Sequence, residues 1–301
     1  MAIRYKIPLM LLLTILLSMV LKWTLPDPIK NTEMRKEFWL RKTHPAELYD
    51  FVIGGDSRTY RGISPNELSE TWDHSLHGMN CGYSSIGLST DYLDYLAEST
   101  KPKGTILLAV TPHSLTAEAV KNEFFNEHKN TKRFDLFKGL YLSRYLKYTA
   151  PYKVTEVLDH LTGNTAADRY FETFYPDQGW AKSYRIPEDT VVALEIYEGL
   201  FSRYQVSDSV QMDLFEKVTE LTTKGYTLYA FRIPTMRSMI QLEDSRSGFK
   251  EIEFQQMFDK AGGTWLDIDP SLYHTYDGSH LHYESAIRLS RDLGTLLKNI
   301  R

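Results

Sequence analysis

Ser57 follows Gly54, Gly55 and Asp56 where an apolar run gives way to a turn, and Asp277 and His280 stand three residues apart near the other end of the chain. A serine hydroxyl becomes a useful nucleophile only when a base lies within hydrogen-bond reach and a third group orients that base. In that chemistry His280 takes the Ser57 proton and later returns it to the leaving group, while Asp277 holds the imidazole tautomer. The negative charge that develops on an attacked carbonyl also needs preorganised donors, for which the Ser57 N–H is a first candidate. Alone, each piece is ordinary, because Asp and Ser are common turn and cap residues and Asp-Gly is a common turn pair.

The elements around these residues give them a common edge. The segment 48–55 reads Leu-Tyr-Asp-Phe-Val-Ile-Gly-Gly, a buried strand ending in glycines. A second continuously apolar strand, 105–110, ends at Thr111-Pro112-His113-Ser114, as expected when helices cover both faces. Between them lie a short helix over 66–73, with Ser64 as N-cap and Pro65 at its first position, a loop through Gly78 and Gly82, and a helix over 88–100. The rhythm resumes with a helix over 210–223, Gly225, a strand over 226–233 and a break at Pro234. A helix over 249–261, a strand over 264–268 and an amphipathic helix over 283–299 complete it. Strand-helix repetition of this kind predicts an α/β fold with a parallel sheet and right-handed crossovers, whose ligands bind at the carboxyl ends of the strands. The stretch 116–209 is rich in aromatic and charged residues without a buried strand, and reads as a mainly helical insertion or cap.

Composition limits the alternatives. With 301 residues, 42% hydrophobic and 25% charged, the chain has ordinary globular usage. The formal net charge of -4 is spread along the sequence, which gives no footprint for nucleic acid. The lone Cys81 has no disulfide partner and reads as a small buried residue. His74, His77, His128, His160, His274 and His282 have no metal-ligand spacing and read as surface or packing residues. At the N-terminus, Arg4 and Lys6 precede an apolar run over 7–21, then Lys22, Trp23 and the helix-ending Pro26 and Pro28. No small-x-small cleavage site follows the run, so 1–26 reads as an uncleaved signal-anchor helix and 27–48 as a stalk or linker. The positive residues inside would turn the domain 49–301 outward.

Gly55-Asp56-Ser57 near the start of the domain and Asp277-Gly278-Ser279-His280 near its end resemble the first and last blocks of SGNH (GDSL-type) hydrolases. The resemblance implies a flavodoxin-like three-layer α/β/α domain and ester hydrolysis or acyl transfer through an acyl-serine, with no metal or cofactor. It also implies an oxyanion-hole glycine in a second block, which Asn80-Cys81-Gly82 resembles, making Gly82 N–H a donor beside Ser57 N–H. The family's third block, Gly-x-Asn-Asp, is replaced by Thr111-Pro112-His113-Ser114, so the oxyanion asparagine is absent and His113 or Ser114 is the candidate substitute. With its N-terminal anchor, the chain most resembles envelope proteins of polysaccharide O-acetylation and teichoic-acid D-alanylation systems.

These readings predict an extracytoplasmic esterase or O-acyltransferase, anchored in a bacterial membrane, that moves acetyl or other small acyl groups on an envelope or exported polysaccharide. Its partners would be that polysaccharide or a small acyl ester, together with a membrane-bound acyl donor protein. Arg58, Arg61 and Arg232, near the nucleophile or at a strand end, are candidates to bind an anionic polymer or a carboxylated sugar. Two alternatives remain: a general carboxylesterase or lipase-like enzyme, and a non-catalytic subunit of a polymer acylation complex.

Overall fold

Phe51, Val52 and Ile53, the apolar centre of the first predicted strand, are completely buried, and everything else is arranged around them. The structure is a computed structural model that describes residues 3–24, 32–142 and 169–300, with 158 and 162. Its strands are β1 (Tyr49–Gly55), β2 (Gly78–Asn80), β3 (Thr100–Val110), β4 (Arg169–Tyr175), β5 (Trp180–Ile186), β6 (Thr227–Arg232) and β7 (Thr264–Trp265). Five of them form one parallel sheet in the order β2-β1-β3-β6-β7, while β4 and β5 pair as an antiparallel hairpin. With the hairpin set aside, the sheet has the 2-1-3-4-5 order of flavodoxin-like proteins.

Because successive strand residues point to opposite faces, a strand apolar throughout serves two cores at once. Val52, Ile106, Leu108 and Ala230 pack with Leu93 and Leu96 of the helix Thr90–Ser99, Leu214 and Val218 of the helix Asp208–Thr223, and Phe254 and Phe258 of the helix Glu251–Lys260. Their neighbours Phe51, Ile53, Leu107, Ala109 and Phe231 pack on the other side with Leu68 and Trp72 of the helix Pro65–Trp72, and with Leu289, Leu293 and Leu297 of the helix Tyr283–Ile300. Each fully buried Leu or Ile contributes about 1.5–3 kcal/mol relative to leaving it in water. The carboxyl ends of β1, β3 and β6 consequently form one rigid edge.

Several elements differ from the sequence reading. The loop expected around Gly78 contains the short edge strand β2, and β3 begins at Thr100 rather than 105. The last strand is only Thr264–Trp265, although Leu266 N–H still donates to Ala230 O at 2.7 Å. The insertion expected to be mainly helical carries the β4/β5 hairpin among its described residues. Cross-strand aromatic pairs hold that hairpin, with Phe171 stacked on Tyr184 (centroids 4.6 Å apart) and Tyr175 on Trp180 (5.2 Å).

The segment expected to be a stalk or linker also does more than space the domain. Its helix, Thr32–Thr43, buries Phe38, Trp39 and Leu40 against the domain, and Lys42 with them. The Lys42 ammonium donates to the carbonyls of Asn80 and Gly82, both at 2.7 Å, and burial pushes it well below the ordinary lysine range. Ile3–Thr24 is helical, with Ile7, Leu11 and Leu13 more than half exposed. Among the described residues no helix is long and apolar enough to cross a membrane.

Candidate active site

Gly55 closes β1 at φ +143°, where an L side chain is strained, and a Cβ there would collide with the Thr59 hydroxyl and Ala109 O. Glycine is therefore required for the chain to leave the strand and enter the helix Ser57–Gly62 at once. Asp56 secures this turn as the helix N-cap: Oδ1 accepts from Arg58 N–H at 3.0 Å and Oδ2 from the Thr111 hydroxyl at 2.7 Å. Ser57 is thereby presented at the first helical position, above the carboxyl end of β1. Its N–H belongs to the first turn, which has no acceptor within the helix.

The second half of the site is a tight loop closed by an antiparallel bridge between Thr275 and Leu281. Gly278 turns it at φ +81°, and the Thr235 hydroxyl holds Gly278 O at 2.7 Å. Asp277 lies within that turn: its Oδ1 accepts from Ser279 N–H at 2.9 Å and from His280 N–H at 2.6 Å. Its Oδ2 lies 2.7 Å from His280 Nδ1, and His280 Nε2 lies 2.9 Å from Ser57 Oγ. The three side chains expected to act together are thus in hydrogen-bond sequence, although Ser57 and His280 are 223 residues apart in the chain.

The charges around them favour a neutral base beside an ionised acid. Burial alone would raise the Asp277 carboxyl, but His280 and the two loop N–H groups outweigh it and hold the group at about 2. His280 is pushed below the ordinary imidazole range, first by burial and then by the Arg61 guanidinium, against the pull of Asp277. A neutral imidazole with Nδ1–H directed at Asp277 carries its lone pair on Nε2, the nitrogen that would receive a proton.

Arg61 stands at that same nitrogen. Its Nη1 lies 2.9 Å from His280 Nε2, while Nε and Nη2 both reach Glu172 Oε1 on β4 at 3.3 Å. Tyr170 donates its hydroxyl to the same Glu172 oxygen at 2.9 Å, and Trp180 of β5 donates Nε1–H to Arg61 O at 3.1 Å. The hairpin of the insertion therefore forms one wall of the site. Arg61, Tyr170, Arg185, Tyr276 and Asp277 line an open pocket of about 360 Å³ beside the triad.

The acceptor side is different. Gly82 N–H, expected to face an oxyanion, donates instead to Asn80 Oδ1 at 2.9 Å. The Asn80 amide in turn donates to Thr59 O at 2.8 Å and Ile63 O at 2.7 Å, so the block packs against the nucleophile helix. Ser114 is fully buried and its hydroxyl donates to Thr111 O at 2.8 Å, which takes it out of the candidate oxyanion set. His113 lies 4.0 Å from Asp56 Oδ2 rather than at Ser57, and burial lowers its pKa.

Arg58 is likewise committed inside the protein, and Arg232, which borders a separate pocket of about 350 Å³, is tied up by carboxylates. Arg58 is 1% exposed, pairs with the fully buried Glu243 at 2.7 Å, and donates from Nε to Ser279 Oγ at 2.9 Å. Arg232 reaches Glu243, Asp244 and Glu251, each at 2.8 Å. A buried carboxylate so placed draws both guanidiniums inward, because an unpaired buried charge is costly.

Cys81 is buried, with its thiol pushed up to about 11 by burial, as fits a packing residue. Among the described residues no three His, Cys, Asp or Glu side chains gather as a metal-ligating group. Sequence reasoning missed the partnership of Glu172 with Arg61, for which no local spacing gives a signal, and the role of Lys42 behind Gly82. The Asn80 capture of Gly82 N–H was within reach, since an asparagine two residues ahead of a glycine is an ordinary side-chain-to-backbone turn. Neither a protein-family model nor a curated protein matches this chain.

Proposed function

We propose that this chain is an SGNH-type serine esterase or O-acyltransferase that acts on small acyl groups, acetyl first among them, of an envelope or exported polysaccharide. The observation that carries the reading is the continuous Ser57–His280–Asp277 relay, at 2.9 and 2.7 Å, on the carboxyl edge of a parallel sheet. Ser57 Oγ attacks the acyl carbonyl carbon while its proton passes to His280 Nε2, and Asp277 stabilises the imidazolium that forms. Collapse of the tetrahedral intermediate breaks the ester C–O bond, and the departing alkoxide takes the proton from His280. The acyl-serine then yields to water or to an acceptor hydroxyl, whose proton His280 accepts before returning one to Ser57. The Ser57 N–H is the donor available to the developing oxyanion.

In this reading the N-terminal apolar run 7–21, preceded by Arg4 and Lys6 in the sequence, attaches the domain to the outer face of a bacterial membrane, where an anchored acyl donor protein would meet it. A pocket lined by arginine and tyrosine suits a sugar or acid better than the apolar site of a lipase. The capture of Gly82 N–H and the Ser114 hydroxyl favours one rival, a triad-bearing subunit without catalysis. Hydrolysis of an activated acetyl ester by the full chain separates the two. The enzyme reading expects acid release that disappears in Ser57→Ala, and in cells a loss of acyl groups from the envelope polymer in the same variant. Equal acid release and unchanged polymer acylation in Ser57→Ala would reject it.

A further inference from the structure

One nitrogen, His280 Nε2, has two neighbours at 2.9 Å: the Ser57 hydroxyl that must give it a proton and the Arg61 guanidinium. A neutral imidazole has one lone pair, so an Arg61 N–H donated to it competes with Ser57 for the same site. The conflict grows during reaction, because an imidazolium would then form in contact with a permanently charged guanidinium. Productive chemistry therefore requires Arg61 to leave Nε2.

Arg61 has other partners and open space beside it. Two of its three nitrogens already engage Glu172 of β4, and the side chain borders the pocket shared with Tyr170, Tyr276 and Arg185. Arg185 pairs with Asp189 at 3.2 Å and also borders a second pocket of about 300 Å³, lined by Tyr184, His282 and Tyr283. Tyr184 and Tyr283, with ring centroids 5.5 Å apart, line that second pocket, and Arg185 joins it to the pocket beside the triad.

We propose that Arg61 is a latch on the catalytic base, released when a carboxylate-bearing saccharide enters the Arg61–Arg185 pocket and takes the guanidinium in a bidentate pair. Planar, bidentate recognition of carboxylate is what a guanidinium does best, and it would draw Nη1 off His280 while leaving Glu172 as a second partner. The site would thus be activated by the acidic acceptor it modifies, and idle toward neutral sugars. This inference rests on the acyl-transfer reading of Ser57 and names the substrate class for it.

The test follows the rate at which a fluorophosphonate labels Ser57 in the full chain, with and without a uronic-acid trisaccharide or a neutral glucose trisaccharide. The wild type should label slowly, and at least about tenfold faster with the acidic trisaccharide, the ratio expected on removing one charge-assisted hydrogen bond. The neutral trisaccharide should change nothing. Arg61→Gln should label fast whether or not the acidic sugar is present. Should Arg61→Gln misfold, the wild-type response to the two sugars decides the question alone. The latch is overturned if wild-type labelling ignores the acidic trisaccharide, or if folded Arg61→Gln labels more slowly than wild type, which would make Arg61 a stabiliser of the attacked centre. Absence of Ser57 labelling under every condition overturns the acyl-transfer reading itself, and the latch with it.

Discussion

The two sides of Ser57 are built in opposite ways. On the base side, Asp277 and His280 sit in a closed hairpin loop whose polar groups converge on the Ser57 hydroxyl. On the acceptor side, Asn80, Gly82, Thr111 and Ser114 bond to one another and to the nucleophile helix, with their donors directed inward. Side chains of the right type are present on both sides, but only one side points them at the reacting atom. A donor contributes to catalysis only when it is free and aimed at the place where charge develops. The base side is consequently the source of the functional proposal, and the acceptor side is the source of its rival.

Asp277→Asn should separate the sides most sharply. It preserves the shape of the loop but removes the charge that fixes the His280 tautomer, so ester turnover should fall by about 10³–10⁴. Equal turnover in the variant would mean that the base side is only structural. Next in size is Arg58→Ala, which deprives the fully buried Glu243 of one of its two arginines and unties Ser279 from the nucleophile helix. A loss of about 3 kcal/mol of stability, seen in a denaturant titration, is expected for such a break.

Asn80→Ala tests the acceptor side directly. It leaves Thr59 O, Ile63 O and Gly82 N–H without their side-chain partner, and should destabilise the fold by roughly 1–3 kcal/mol. If Gly82 N–H is then free to face Ser57, turnover per folded molecule rises; if the acceptor side is purely structural, it stays level. The smallest effect is in the pH profile. His280 must be neutral to act as base and its pKa is lowered, so activity should rise with pH through a midpoint below the ordinary imidazole value near 6.5. Arg61→Gln should move that midpoint upward, because after burial its charge is the largest cause of the lowering.

Much of this contrast was legible in the chain before folding. The apolar run 51–53 ending in glycines and the continuously apolar segment 105–110 gave away a parallel sheet, since strands covered on both faces read that way. Gly55 and Gly278 marked the two turns that place Ser57 and Asp277, and both have the positive φ that glycine tolerates. What stayed hidden depends on contacts between distant segments. Nothing local to Lys42 says that it reaches the carbonyls of Asn80 and Gly82, and nothing local to Glu172 says that it meets Arg61. The hairpin was missed because its strands are held by cross-strand aromatic pairs at the surface of the site instead of by a continuous apolar run. Arg58 and Arg232 read as substrate contacts because the sequence does not show the buried Glu243 between them.

The most direct measurement is to expose the full chain to a fluorophosphonate and locate the adduct by peptide mass spectrometry. The account predicts one adduct, on Ser57, that is lost in His280→Ala and when the protein is unfolded before exposure. An adduct on another residue, or labelling of Ser57 that survives the loss of His280 undiminished, would contradict it.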